Sequence, residues 1–243
     1  MSYKTKRKIE QMVFGVLMFV GFAGVGAFVG YFLGSVEKNF GIKMNAIEFL
    51  AVSVATLAVV FLSYYINIFL HEIGHMIFGL LTGYKFNSLR FGKIMLVKKD
   101  DKLHFCRYNM PGTGGQCIMS APTGDAEKMP VVLYNLGGVL INLVFFVAGI
   151  CIFREVRNTI PIVGIIGFIF ALSAFILLIS NGIPFTQLGT DGAHAIILHK
   201  DKNAREAFRN QTDYVLIKKE NYQKALDILK HSGYEIVGRK MTI

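Results

Sequence analysis

Apolar residues fall along this chain in long blocks, without the short alternation of a half-buried strand. The first block runs from about Met12 to Gly34. The second begins near Ala46 and continues, with one polar interruption, to about Thr82. The third spans about Pro130 to Phe153 and the fourth about Ile160 to Asn181. About 20 apolar residues in a helix cross a bilayer, so each block predicts a transmembrane helix. The fold class is therefore mainly α, a polytopic membrane protein with four spans. Between spans two and three, Phe91–Val97 and Leu103–Tyr108 carry apolar and aromatic residues around Lys98–Lys102, which predicts a β-hairpin. Gly112–Gly115 and Gln116–Met119 follow it. Beyond Gly192 the chain turns polar. Asn203–Arg209 and Asn221–Lys230 have helical spacing, with Tyr222, Ala225, Leu226 and Leu229 on one face, and predict a small helical tail that caps the bundle.

Three units follow. Residues 1–45 hold an N-terminal tail, the first membrane anchor and a short external loop. Residues 46–192 form a membrane core with its β element at about 84–120, and residues 193–243 form a C-terminal tail. In the first span Gly26, Gly30 and Gly34 repeat every four residues and line one helix face. Such a face is expected to pack closely on the core helices, with homodimerisation as the alternative.

Composition agrees with the pattern: 53% hydrophobic, 17% charged, 21 Phe and mean hydropathy +0.48. The net charge of +10 could mean a nucleic-acid partner, but the basic residues follow the loops instead. With the N-terminus in the cytoplasm, the N-terminal tail, the 84–129 loop and the C-terminal tail hold 22 of the 26 Lys and Arg. That is the positive-inside bias, and it places both termini in the cytoplasm. No cluster of basic and aromatic positions marks a nucleic-acid surface. The first span follows Lys4, Lys6, Arg7 and Lys8, as a signal peptide would. It is too long for one and no small-residue cleavage site follows, so a retained anchor is expected. The compact, basic, cysteine-poor chain suits a bacterial plasma membrane. Cys106, Cys117 and Cys151 have no metal-site spacing and receive no role.

Inside the second block stands His71-Glu72-Ile73-Gly74-His75. Histidines at i and i+4 share one helix face, one turn apart, so both imidazoles can reach one metal ion. Zinc bound there lowers the pKa of its water to about 7, and the adjacent Glu72 is placed to act as general base. This is the HExxH metalloprotease pattern. Ionisable residues at membrane depth are functional or paired by default. Catalytic zinc takes a third protein ligand. The position six residues after His75, where some soluble zinc proteases carry a third His, is Leu81. The best-placed candidate is Asp191, past the broken end of the fourth span with its Pro184 and several glycines; His194 is a rival. A broken helix end is tolerated at membrane depth where it lines a protein cavity. By the charge-derived topology, spans two and four run in the same direction, which brings the His pair and Asp191 to one level.

The segment Asn67–Gly192 resembles the site-2 protease family of intramembrane zinc metalloproteases. Three features carry the resemblance: His71–His75, the Gly138-Val139-Leu140-Ile141-Asn142 stretch, and Asn181-x-x-Pro184 followed by Asp191-Gly192. The resemblance implies Zn²⁺ held by His71, His75 and Asp191, with Glu72 as general base. It implies that Asn142 and Asn181 lie near the scissile peptide and bind substrate. It also implies a β element that presents an edge strand to the substrate. The family commonly has Leu directly before Asp-Gly, whereas Gly189 and Thr190 separate Leu188 from Asp191 here.

The expected function is intramembrane endoproteolysis. Its partners would be a single-pass membrane protein or a small hydrophobic peptide, cut to release a signalling factor or mature a precursor. A different class remains open: a transporter or immunity-type membrane protein whose His pair is structural or handles metal. Another membrane zinc protease type, with a glutamate as third ligand, is the other alternative; Glu127 and Glu155 follow the motif but lie in predicted loops with no supporting pattern.

Overall fold

In the computed structural model the described residues are 2–40, 45–99, 101–108 and 114–214. Four helices are long and apolar enough to cross a membrane: α1 (Tyr3–Phe40), α2 (Ala46–Leu81), α3 (Val131–Val156) and α4 (Pro161–Gly182). Two shorter helices, α5 (Asp191–Lys200) and α6 (Lys202–Tyr214), follow. The protein is an integral membrane protein, mostly helical, with one small antiparallel sheet. Asn221–Lys230, Gly112 and Thr113 lie outside the described residues, and α6 takes up the expected helix at Asn203–Arg209. The boundary expected between 192 and 193 falls inside α5.

Helix α2 is one unbroken element of 36 residues, about 54 Å long. Its start is fixed by Asn45, whose Oδ1 accepts from the backbone N–H of Ile47 and Glu48. The Glu48 side chain in return accepts the Asn45 N–H, completing a capping box. Burial along α2 inverts the water-soluble rule. Leu57, Phe61 and Leu62 are exposed, while the buried positions are Ser63, Asn67, His71, Gly74, His75 and Gly79. They recur at helical spacing on one face. In lipid the apolar surface needs no cover, so helices associate through small residues and hydrogen bonds.

The contact between α2 and α3 is of that kind. A Cβ at Gly74 would collide with the Gly137 carbonyl, and one at Gly137 would stand 2.6 Å from the Gly74 carbonyl oxygen. Gly149 meets Gly167 and Ala171 in the same way, where α3 packs on α4. The stripe Gly26, Gly30 and Gly34 does not behave as expected. A Cβ at any of the three would meet nothing within 4 Å, and α1 instead approaches α4 through Gly21 against Ile176. Spacing marks a small-residue face; the facing helix decides whether that face is used.

The expected hairpin is half of a larger sheet. Strands β1 (Lys85–Phe91), β2 (Ile94–Lys99), β3 (Lys102–Arg107) and β4 (Gly115–Ser120) form an antiparallel sheet in the order β3-β2-β1-β4. The predicted pairing is β2 with β3, in register from Ile94 opposite Arg107 to Lys99 opposite Lys102. Strand β1 escapes a hydrophobic reading because its buried residues are Asn87, Ser88 and Arg90. Asn87 sits at a bulge in the β1–β4 pairing and hydrogen-bonds Ser120. Arg90 donates to the carbonyls of Gly92 (2.8 Å) and Gly115 (3.1 Å).

Outer strand β4 lies along α2: Met119 against Gly79, Gly115 against Glu72, Gly114 against Ile68. It therefore follows the helix for roughly three turns. At the far end α6 docks through Arg209, which donates to the Gly124 carbonyl, and through Phe208 against Tyr134.

Gly137→Val should lower the thermal unfolding midpoint in detergent, at a cost of about 1–3 kcal/mol for overpacking. Gly26→Val should leave the midpoint in place. Equal midpoints for the two variants would show that α2 and α3 do not depend on this contact.

Candidate metal centre

His71 and His75 project from the buried face of α2, and each ring is held from behind. His71 Nδ1 lies 2.6 Å from Asn142 Oδ1, and His75 Nδ1 lies 2.8 Å from the Tyr134 carbonyl oxygen. Both partners sit on α3, and both are acceptors. Each Nδ1 must therefore carry the proton, which leaves each Nε2 with a free lone pair. The Asn142 amide is oriented by its other end, with Nδ2 donating to the Asn67 carbonyl at 3.4 Å.

The two Nε2 atoms stand 3.2 Å apart. Asp191, first residue of α5, brings Oδ2 to 2.9 Å from His71 Nε2 and 3.4 Å from His75 Nε2. That oxygen is buried and has no aligned hydrogen bond. Three electron-pair donors so placed repel one another unless a cation lies between them. Ligands at tetrahedral angles around zinc, about 2.0–2.2 Å from the ion, stand about 3.3 Å apart. The three spacings fit that figure, so this donor set suits a metal ion of zinc's size and coordination.

Glycines make the convergence sterically feasible. A Cβ at Gly138 would lie 2.5 Å from the His71 ring, so the Gly138-x-x-x-Asn142 stretch combines a ring-sized gap with an acceptor one turn on. A Cβ at Gly192 would collide with the Gly182 carbonyl; without it, the first turn of α5 closes onto the end of α4. The loop between them is shaped by Gly189 at φ +67 and by Thr190. The Thr190 hydroxyl accepts from Phe185 N–H (3.1 Å) and donates to the Ile183 carbonyl (2.7 Å).

A cavity of about 820 Å³ opens beside this cluster. Glu72, half-buried, faces it between the histidines and β4. A Cβ at Gly115 would stand 2.7 Å from Glu72 Oε1, so glycine at the start of β4 leaves space for the carboxyl group. Gly115 to Ile118 of β4 line the same cavity. Tyr134 tethers the strand to α3, its hydroxyl donating to the Cys117 carbonyl at 3.2 Å. Cys117 offers no competing ligand: burial, reinforced by Glu72, pushes its thiol well above the usual range.

His71, His75 and Asp191 thus stand together, with Glu72 adjoining them. His194 lies one turn beyond Asp191, exposed at the cavity wall with its ring near Gly189, and it is outside the three-donor group. Asn181 lines the cavity, with its Nδ2 turned back to the Leu177 carbonyl at 3.1 Å. Asn142 is not at the cavity wall, where a substrate-binding role would put it. It is fully buried behind His71, because its amide is spent on the ring nitrogen and on the Asn67 carbonyl. The Tyr134 carbonyl escaped the sequence reading, since a backbone acceptor leaves no side-chain signal.

Four bilayer-length helices around a His–His–Asp cluster with a flanking glutamate define a membrane metalloprotease. Residues 44–205, about two-thirds of the chain, match the family described as Peptidase M50B-like, and the chain belongs to that family. No curated protein and no solved structure matches it.

Removing an outer partner of a metal-bound histidine typically weakens the metal by 10–100-fold. Asn142→Ala is expected to do so, while His194→Ala leaves the affinity unchanged. Competition with a chromophoric zinc chelator reads both, and an unaltered affinity in folded Asn142→Ala would contradict the assigned role.

Proposed function

We propose that the protein is an intramembrane zinc endopeptidase of the site-2 type. It cuts peptide bonds in single-pass membrane proteins or small hydrophobic peptides, to release a signalling factor or mature a precursor. The observation that carries this reading is the three-donor cluster at the wall of a cavity that also holds Glu72 and strand β4. Zinc held by His71, His75 and Asp191 supplies Lewis-acid activation of water and of the scissile carbonyl.

The protein's own groups do the rest. Glu72 is placed to take a proton from the attacking water and deliver it to the departing amine. Asn142 and the Tyr134 carbonyl hold the two histidines in the tautomer that presents Nε2 to the metal. Strand β4 has only β1 beside it in the sheet, and it borders the cavity next to Glu72. A helical substrate must unwind before it can be cut, and strand addition supplies backbone hydrogen bonds to the unwound segment whatever its side chains. Asn181, at the cavity wall, is the asparagine placed to touch such a segment. The Lys and Arg distribution supports both termini in the cytoplasm, with the cut near the cytoplasmic half; the compact, basic, cysteine-poor chain suits a bacterial plasma membrane.

Purified protein should carry about one zinc per chain, and His71→Ala or Asp191→Ala should lose it. Glu72→Gln should keep the metal yet lose cleavage of a co-reconstituted single-pass substrate by about 10²-fold or more. Zinc-free wild type after zinc supplementation would sink the reading. Unchanged function in Glu72→Gln would favour a metal-handling transporter instead.

A further inference from the structure

Helix α1 precedes the segment matched to the family. Among its described side chains only two are buried, Val25 and Glu10. In a helix this apolar, the carboxylic acid is one of the two residues most hidden from the surroundings. A buried acid is costly unless its oxygens find hydrogen-bond partners. Glu10 has two, and neither is a cation. Its Oε2 accepts the backbone N–H of Gln187 at 2.7 Å, and its Oε1 accepts the Thr186 hydroxyl at 3.2 Å.

Both partners belong to the loop between Gly182 and Asp191. That loop has left the α4 helix, so its N–H groups need acceptors from elsewhere. Phe185 bonds the Thr190 hydroxyl, while Leu188 and Gly189 share the Phe185 carbonyl. Gln187 finds its acceptor outside the loop, in Glu10. Four residues after Gln187, Asp191 supplies the carboxylate of the three-donor cluster. Phe14 also reaches this loop, its ring edge-on to Phe185 at 6.1 Å, an apolar contact that satisfies none of the loop's backbone groups. Farther along α1, Gly21 meets Ile176, Phe22 meets Tyr64 and Phe28 meets Phe168, and these hold the helix on the bundle away from the loop.

We infer that Glu10 is a positioning residue of the metal centre: through Gln187 and Thr186 it fixes the loop that sets Asp191 against His71 and His75. The first helix is then a working part of the site, beyond its role as an anchor. This inference rests on the zinc reading proposed above.

The test uses the full-length protein in detergent. Zinc affinity is measured by chelator competition, and the visible spectrum is recorded with Co²⁺ in place of zinc. Glu10→Ala should bind zinc about tenfold more weakly and shift the Co²⁺ bands. Glu10→Gln and Thr186→Val, which each disturb part of the pair of hydrogen bonds, should show the same changes to a smaller degree. Phe22→Ala, which loosens α1 away from the loop, should move neither readout. Wild-type affinity and spectrum in folded Glu10→Ala would overturn the inference, as would equal losses in Glu10→Ala and Phe22→Ala. If Glu10→Ala does not fold, unaltered metal binding in both Glu10→Gln and Thr186→Val overturns it. A wild type that binds no zinc overturns it together with the zinc reading, whereas normal wild-type binding with silent variants leaves that reading standing.

Discussion

The contact between α2 and α3 at Gly74 and Gly137 sets the geometry of everything around it. With no side chain on either residue, the two backbones touch. At that separation a hydrogen bond can run from an imidazole on one helix to Asn142 or to the Tyr134 carbonyl on the other. A wider gap would leave both Nδ1 atoms without acceptors and both rings free to turn. In a membrane there is no hydrophobic force to draw helices together, so close fit between small residues does that work. The same device recurs where Gly192 meets Gly182 and seats the start of α5. Steric absence is thus what brings three ligand atoms from two helices, α2 and α5, to one point.

Polar groups in this interior are organised around that point. Asn67, Asn142, His71, His75 and Asp191 would each be expensive to bury alone. Joined to one another, they leave the Asn67 Oδ1 without a partner and, at the centre, the facing lone pairs of two Nε2 atoms and a carboxylate oxygen, a demand that a cation would answer. Glu72 stands to one side, on the cavity, where a carboxyl group can exchange protons without competing for the ion. Strand β4 completes the enclosure from outside the helix bundle, tethered by the Tyr134 hydroxyl and by Arg90.

Much of this was legible in the residues. Four apolar blocks of spanning length predicted four helices, because crossing a bilayer is a one-dimensional requirement on length and polarity. The His71–His75 pair declared itself because one helical turn places both rings on one face. Asp191 emerged as the third member from its position beyond the fourth span, and the family match covers all three. The misses also have causes. Strand β1 was overlooked because its buried residues are polar and find their partners on other strands. The Gly26, Gly30, Gly34 stripe was expected to pack on the core helices, but among the described residues nothing lies within 4 Å of a Cβ at any of the three. Asn142, which the family resemblance put near the scissile peptide and which could equally make an interhelical hydrogen bond, bonds His71 across the α2–α3 contact.

The sequence by itself determined the elements that local rules control: the spans, the helical His pair, the β2–β3 hairpin and the separate chemistry of each motif. Only the tertiary structure decided which groups meet. It chose Asp191 over His194 to face the histidines, set Asn142 against the His71 ring, and joined Glu10 to a loop more than 170 residues away in the chain. Such pairings depend on how closely two helices approach and on which backbone carbonyl is left unpaired at their contact. Those quantities belong to two distant segments at once, so neither segment's sequence alone can specify them.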